Sequence, residues 1–431
     1  MTTGLFDRLF NIRRPQPPAP VPPGLYHTLR ETDGQITRLH LRVEPDGSGM
    51  LIANATAAAR LSPVGVVIAK ALLDERGEPD ILRELQARFH NGEAVRLEHD
   101  LAQVKMLLRD LVEPGDRFPI FNLEDAAFSS RAVSLIAPLE ATVPLAPPAQ
   151  IIPILGRLWD VGIPHVTILV PPHPNAADLV RAVERAEDLG LICGVSGRAT
   201  DLGAGTLLDD LALAGLDHVT AFYAAADAAI HDALLGTGDH AAAEVLFRRT
   251  QVLEMADVGL TPLVASTVDH LEATLNALLS LQVFNVSFFA IATTAEEDGT
   301  GAIPAPAMRQ VAAQVEEAAD QARVAYLWHP PVERDDGLTL AQQVRQGPRC
   351  AGDVAVRIEP DGSVMAARGV GVNAGNLLRD DWQTIWNNPV FRRYRGRVET
   401  STRCQFCPGL AICAADCPAE PAGWARITVN S

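Results

Sequence analysis

The sequence predicts an α/β protein in three parts: a small winged-helix-like module, a longer region of alternating strands and helices, and a short cysteine-rich, metal-binding segment. Three observations predict it. Between residues 130 and 330, β-branched runs alternate with stretches of helical periodicity. A hairpin pattern followed by three amphipathic stretches comes before that region. Near the end, four of the six cysteines fall within fourteen residues, at Cys404, Cys407, Cys413 and Cys417.

Residues 1–25 open with a short Leu/Phe-containing segment and pass into six prolines between Pro15 and Pro23, a composition that favours an extended tether. In the module at 26–125, Tyr26 to Arg30 and Thr37 to Val43 read as two strands joined through Glu31-Thr32-Asp33-Gly34. Ala53 to Ala59 and Ser62-Pro63-Val64-Gly65 then lead into three helices, over Val66 to Leu73, Asp80 to Phe89 and Val95 to Leu111.

In 130–330, strands are expected at Ser134 to Ile136, Val166 to Val170, Leu191 to Val195, His218 to Phe222, Thr261 to Ala265 and Asn285 to Ile291. Helices are expected at Ile151 to Val161, Ala176 to Leu189, Thr206 to Ala214, Ala241 to Val258 and Leu271 to Leu281. Such alternation builds a parallel sheet, open or closed into a partial barrel, with ligands at the carboxyl ends of its strands. In 345–431, a hairpin spans Val354 to Ala367 around Pro360-Asp361-Gly362. An extended run from Gly371 to Leu378 and a helix at Trp382 to Trp386 come before the cysteines.

The net charge is −17, from 36 basic and 53 acidic residues. That balance argues against a sequence-independent grip on nucleic acid or on an anionic membrane, and is compatible with a basic peptide or protein partner. No apolar run reaches the ~18 residues a membrane span needs. Met1 to Phe10 is amphipathic and not a secretory core, so a cytoplasmic protein is expected. In that reducing setting the spacing CxxC-x5-CxxxC reads as metal binding and not as disulfides. Pro408-Gly409 and the small residues Ala411, Ala414 and Ala415 allow a tight fold around one centre. Cys193, after Leu191-Ile192, reads as a buried core residue.

Cys350, the Ile358-Glu359-Pro360-Asp361-Gly362-Ser363-Val364 strand-turn-strand, the Gly375-Asn376-Leu377 triplet, Ile385-Trp386 and the cysteine run follow the order of a SPASM domain. With the α/β region before them, the chain resembles radical SAM/SPASM proteins of the peptide-maturase type. Leu235-Gly236-Thr237-Gly238-Asp239-His240 adds a weaker local likeness within the barrel. The N-terminal module resembles the PqqD-like RiPP recognition element on the Leu61-Ser62-Pro63-Val64-Gly65 helix entry, the Phe89 to Val95 connection and Asp100-Leu101, taken as opening the last helix. The resemblance implies a partial (β/α) barrel of radical SAM type and a small SPASM-like domain. It also implies a leader peptide held at the edge of the module's hairpin by strand addition, which draws affinity from main-chain hydrogen bonds.

The same resemblance exposes departures. Against the family's CxxxCxxC loop after the first barrel strand, this chain reads Ala137-Pro138-Leu139-Glu140-Ala141-Thr142-Val143-Pro144, with Ala137, Ala141 and Pro144 at the three ligand positions. Against its GGEP segment stands Pro171-Pro172-His173-Pro174, where proline removes both the N–H and the close approach that glycine allows. Both departures argue against S-adenosylmethionine binding. Ala367 replaces a SPASM cysteine, and the tail from Pro418 has none, so at most one four-thiolate centre fits.

Cys404, Cys407 and Cys413 form the nucleus of that centre, with Cys417 or Cys350 as fourth ligand. The family implies one [4Fe-4S] cluster; zinc suits the same four thiolates. The expected function is a catalytically degenerate accessory partner that binds a peptide or protein for an active maturase. The alternative is an active metalloenzyme or iron–sulfur redox protein using the C-terminal cluster. His173 and Glu140 are candidates to face the former cofactor cavity, Glu140 for acid–base work. The His231-Asp232 pair is expected at the surface, and Glu296-Glu297-Asp298 in a solvated loop.

Overall fold

The computed structural model describes residues 21–32, 35–44, 46–53, 57–88, 94–112, 120–121, 137–293, 299–329, 331–348, 355–365 and 373–396. They fall into two compact units, one up to Phe121 and one beyond it.

The first unit is a meander of β1 (Gly24–Thr32), β2 (Gln35–Val43), β3 (Gly49–Ala53) and β4 (Ala57–Leu61), all antiparallel. The two-residue β5 (Ile120–Phe121) runs parallel to β4 at its outer edge. Helices α1 (Pro63–Leu73), α2 (Glu78–Arg88) and α3 (Ala94–Val112) complete it. Leu39, Leu41 and Val43, at alternate positions of β2, share one buried cluster with Leu51, Val66 and Ile68. Ser62 caps α1, its Oγ accepting from the Gly65 amide at 3.2 Å with Pro63 in the first turn, which is why the Ser62-Pro63-Val64-Gly65 signature opens a helix. The hairpin expected from the sequence is therefore part of a larger sheet. Strand β4 is hard to read from the sequence because Ala57, Ala58 and Ala59 carry little strand propensity. Helix α3 starts at Ala94, so Asp100-Leu101 lies within it and does not open it.

In the second unit, β6 (Glu140–Pro144), β7 (His165–Leu169), β8 (Ile192–Gly197), β9 (His218–Phe222), β10 (Ala256–Leu263) and β11 (Asn285–Thr293) pair in parallel and in chain order. Between them run α4 (Pro148–Val161), α5 (Ala176–Leu189), α6 (Ala199–Leu202), α7 (Leu207–Leu213), α8 (Ala228–Leu235), α9 (Asp239–Val252), α10 (Ala265–Val268) and α11 (Leu271–Ser280). Short strands β12 (Ile303–Pro304), β13 (Ala325–Trp328) and β14 (Val332–Glu333) line the far side of β11, with α12 (Met308–Ala322) and α13 (Leu340–Arg345) between and after them. At the other edge, β15 (Ala355–Ile358) pairs in parallel with β6, and β16 (Ser363–Met365) and β17 (Asn373–Asn376) continue antiparallel. The described part of the unit ends in α14 (Trp382–Trp386) and α15 (Pro389–Gly396).

One residue parity of each strand faces the helices: Ala141, Val143, Val166, Ile168, Val195, Val219, Ala221 and Phe288 share the main core with Cys193, itself fully buried as expected. The expected strand at Ser134 to Ile136 lies outside the described residues, as do Glu296-Glu297-Asp298 and Ala367. Glu140 to Pro144, expected in a loop, is the first barrel strand. The expected helix over Ala241 to Val258 ends at Val252, because Glu254 takes φ +54° and the chain turns into β10. In the C-terminal part, Asn376 is 4% exposed, its Nδ2 donating to Asp361 O at 2.8 Å and its Oδ1 accepting from the Leu378 amide at 3.0 Å. A Cβ on Gly375 would sit 2.8 Å from Ile385 Cγ1. The Gly375-Asn376 pair is thus what lets the turn pack on α14, where Trp382 and Trp386 stack at 5.8 Å.

Candidate functional site

The carboxyl ends of β6 to β9 form the rim where an α/β sheet places its ligands. From β6 the chain reaches α4 through only Leu145-Ala146-Pro147. The Leu145 amide still donates to Leu169 O at 2.9 Å, as a continuing strand would, and Pro148 starts the helix at once. From β7 it reaches α5 through Val170 and Pro171-Pro172-His173-Pro174. His173 takes φ +53°, unusual for a residue with a Cβ, and is held there by its amide, which donates to Asp201 Oδ1 at 2.9 Å. Asp201, 4% exposed, accepts from Arg198 Nε at 2.7 Å, and Arg198 Nη1 donates to Leu235 O at 3.2 Å. The rim is thereby tied by one carboxylate and one guanidinium across three loops.

Behind the rim, Asp239 accepts from the Thr200 amide at 2.9 Å and hydroxyl at 2.7 Å, and its other oxygen faces His231 Nε2 at 3.2 Å. His231 Nδ1 accepts from the Ala224 amide at 3.1 Å, which fixes the proton on Nε2. Burial pushes the Asp239 carboxyl up, but the donors His231 and Thr200 outweigh it and hold the group below its ordinary range. His231 is fully buried, contrary to the surface position expected for His231-Asp232. Its neighbour Asp232 accepts from the Gly238 amide at 2.6 Å and the His240 amide at 3.0 Å. With both nitrogens of His231 engaged, this network braces the Gly236 to His240 turn and has no free acid or base to offer.

The parity opposite the helix-side core forms the inner face. On β9 to β11 its carboxyl part is apolar: Phe222, Leu260, Phe289 and Ile291 are buried in one cluster, with Val332, Val344 and Leu340 packed against them. Toward the amino ends it is polar. His165 Nε2 and His218 Nε2 lie 2.6 Å apart. The His218 ring spans the intervening strand over Gly194, where a Cβ would come within 1.9 Å of its Cε1. Thr167 Oγ1 donates to Glu140 Oε1 at 2.7 Å. Burial pushes His165 down to about 4, and pushes His218 to about 3, with His165 adding to and Glu140 opposing the shift. Burial likewise holds His329 at about 4 against the pull of Glu140. His329, which follows β13 on the far side of β11, thus comes within electrostatic reach of Glu140 on β6.

Of the expected site residues, Glu140 lies inside the barrel, as the first residue of β6. His173 is exposed on the rim. Cys350, Cys404, Cys407, Cys413 and Cys417 lie outside the described residues. Among the described residues no group of three or more His, Cys, Asp or Glu is placed to hold a metal ion. The residues that sequence reading missed are His165, His218, Arg198, Asp201 and Asp239. The first two had one available signal, since each opens a parallel strand where an apolar residue is the norm.

The SPASM family, an iron-sulfur cluster-binding domain, matches residues 350–417. No curated protein sequence matches the chain. Among solved structures, Streptococcus suis SuiB bound to S-adenosylmethionine superposes with a TM-score of 0.56 at 14% identity, over 90% of this chain and 95% of that one. SuiB bound to the precursor peptide SuiA gives 0.53 at 13% over the same shares, 90% and 95%. SuiB alone gives 0.54 at 13%, over 92% and 98%. At these identities the likeness is one of fold: a mixed α/β chain with a parallel sheet of radical SAM type and a C-terminal SPASM domain.

Proposed function

We propose that this chain is a catalytically degenerate radical SAM/SPASM protein that binds a peptide or protein and serves an active peptide maturase as its accessory partner. The observation that carries the reading is the three-residue connection Leu145-Ala146-Pro147. A radical SAM barrel presents three thiolates beyond its first strand to a [4Fe-4S] cluster that binds S-adenosylmethionine. Leu145, Ala146 and Pro147 supply neither the sulfur nor the length, and the only cysteine before Cys350 is the core residue Cys193. Those residues do not fit that cluster. Support comes also from the next strand's rim, where His173 gives its amide to Asp201 among prolines that have none.

In this reading the PqqD-like module at 26–125 recognises a leader, the barrel spans 130–330, and the SPASM-like segment at 345–431 holds one metal centre. The donor set Cys404, Cys407, Cys413 and either Cys417 or Cys350 suits [4Fe-4S], with zinc as the alternative. No described helix is long and apolar enough to cross a membrane, which is compatible with a cytoplasmic site of action. The resemblance of the fold to SuiB, a protein crystallised with a precursor peptide, supports a peptide partner. The test is co-purification with a maturase encoded nearby, plus binding of its labelled leader peptide. Absence of both, or cleavage of S-adenosylmethionine to 5′-deoxyadenosine after anaerobic reconstitution, overturns the reading.

The cysteine cluster and the match over 350–417 favour a second reading, a metalloenzyme or iron–sulfur redox protein acting through the C-terminal centre. Elemental analysis with an anaerobic ultraviolet–visible spectrum separates them, because a redox-silent zinc site removes the second.

A further inference from the structure

Strand β13 stands at the far edge of the parallel sheet, where among the described residues its one neighbour is β11. The Ala325 amide donates to Phe284 O and the His329 amide to Phe288 O, each at 2.8 Å. In a parallel ladder alternate residues turn both backbone groups to the same side, so 325, 327 and 329 serve β11. The backbone groups of Tyr326 and Trp328 therefore point away from the sheet. Edge strands commonly guard such groups with Lys, proline or a bulge. Ala325-Tyr326-Leu327-Trp328 carries no charge and no proline, and its register is unbroken.

The two faces of this edge differ. Tyr326 lies opposite Val286, on the helix-side parity, and is 37% exposed. Leu327 lies opposite Ser287, on the inner parity, and is 57% exposed. Beside Tyr326 stand Glu316 and Asp320, one turn apart on α12; burial, and then the charges of these two groups, push its phenol up. Like charges at i and i+4 destabilise a helix. Among the described residues no cation pairs with either carboxylate, not even Arg323, which caps α12.

We propose that the open edge of β13 takes up an extended peptide segment by strand addition, with basic side chains meeting Glu316 and Asp320 and the alternate, apolar ones covering Leu327. Main-chain bonds to Tyr326 and Trp328 supply the pairing, and the carboxylates select the charge. A second copy of this chain is the poorer occupant. Two-fold pairing of β13 with itself would bring both pairs of carboxylates to one seam, like against like. The site belongs to the second unit, so it stands independently of leader binding by the N-terminal module and of the accessory reading.

The test titrates the full chain with the fluorescein-labelled peptide Lys-Val-Lys-Val-Lys-amide, read by anisotropy, with the Glu-Val-Glu-Val-Glu peptide as comparator. The lysine peptide binds, and the glutamate peptide binds roughly fivefold or more weakly, as expected for one or two exposed charge pairs. The double variant Glu316→Gln and Asp320→Asn weakens the lysine peptide by a similar factor, with circular dichroism unchanged. In the unsubstituted protein, hydrogen exchange at 325–328 slows on adding the lysine peptide, a readout that general attraction to an acidic surface leaves unmoved and that serves if the variant misfolds. No binding at millimolar concentration, equal binding of the glutamate peptide, an unweakened double variant or unchanged exchange at 325–328 overturns the proposal. So does concentration-dependent dimerisation that slows the same exchange without peptide, which assigns the edge to a second copy.

Discussion

The imidazoles of His165 and His218 meet at 2.6 Å although a whole strand separates them in the sheet. The strand between them is β8, and the residue beneath the contact is Gly194. A methyl there would lie 1.9 Å from His218 Cε1 and 2.1 Å from its Nε2, inside any tolerable contact.

Gly194→Ala is therefore expected to destabilise the second unit by about 1–3 kcal/mol, the range for overpacking a filled site. His218→Ala removes the obstacle. The double variant should lose clearly less than the sum of the two single losses, read as urea midpoints in a double-mutant cycle.

Stability should fall as the solution is acidified. His165 and His329 have folded values near 4 and His218 near 3, against 6.5 for the free side chain. Above pH 6.5 both folded and unfolded forms are neutral and nothing is lost. Below it the unfolded chain takes up protons that the folded chain refuses, so unfolding is favoured until the folded values are reached. Each imidazole contributes up to about 1.4 kcal/mol per pH unit over that window. Denaturant midpoints measured from pH 7.5 down to 5 should decline, and His329→Asn should flatten the slope. A flat profile in the parent protein would show that the histidines protonate freely.

Asp239 serves three donors from two elements, so Asp239→Ala leaves the His231 Nε2–H and the Thr200 amide without their partner. A loss of about 2–3 kcal/mol is expected, with Asp239→Asn retaining part of it. Thermal unfolding of the three proteins orders them. An alanine variant as stable as the parent would show that the bracing role assigned to His231 is wrong.

His173→Gly relieves a left-handed backbone and should be neutral or stabilising by up to about 1 kcal/mol, whereas Asp201→Ala frees the same loop and Arg198 together. Limited proteolysis between Val170 and Asn175 should accelerate only in the second variant.

For the C-terminal centre, the paired change Cys404→Ala and Cys407→Ala should remove the bound metal, whether iron or zinc, as read by elemental analysis of protein purified anaerobically. Full retention would place the centre on other residues.

The alternation of the α/β region was legible because parallel strands buried on both faces are rich in Val, Ile and Leu, and His218 to Phe222 and Ala176 to Leu189 fall where the pattern puts them. The start of the barrel was misplaced for a local reason. Glu140 to Pro144 contains a proline and alternates Ala141 and Val143 with polar residues, so it reads as a loop until β7 and β15 are seen on either side of it. The interior histidines were illegible because their meaning depends on Gly194, a neighbour only through the sheet. His231 read as surface because its partner Asp239 lies across a turn set by Gly236 and Gly238, beyond the reach of a helical pattern.

Strand β15 lies against β6, and the Thr142 hydroxyl reaches Val356 O across 214 residues of chain. During synthesis, then, the first barrel strand emerges long before its outer neighbour exists. Its edge amides stay open to solvent, and to other nascent chains, until the ribosome has passed Ile358. A transcript truncated before Ala355 would encode a barrel that folds with a bare edge and tends to aggregate. The cysteine-bearing segment is thus preceded in synthesis by the strand that covers the edge of β6.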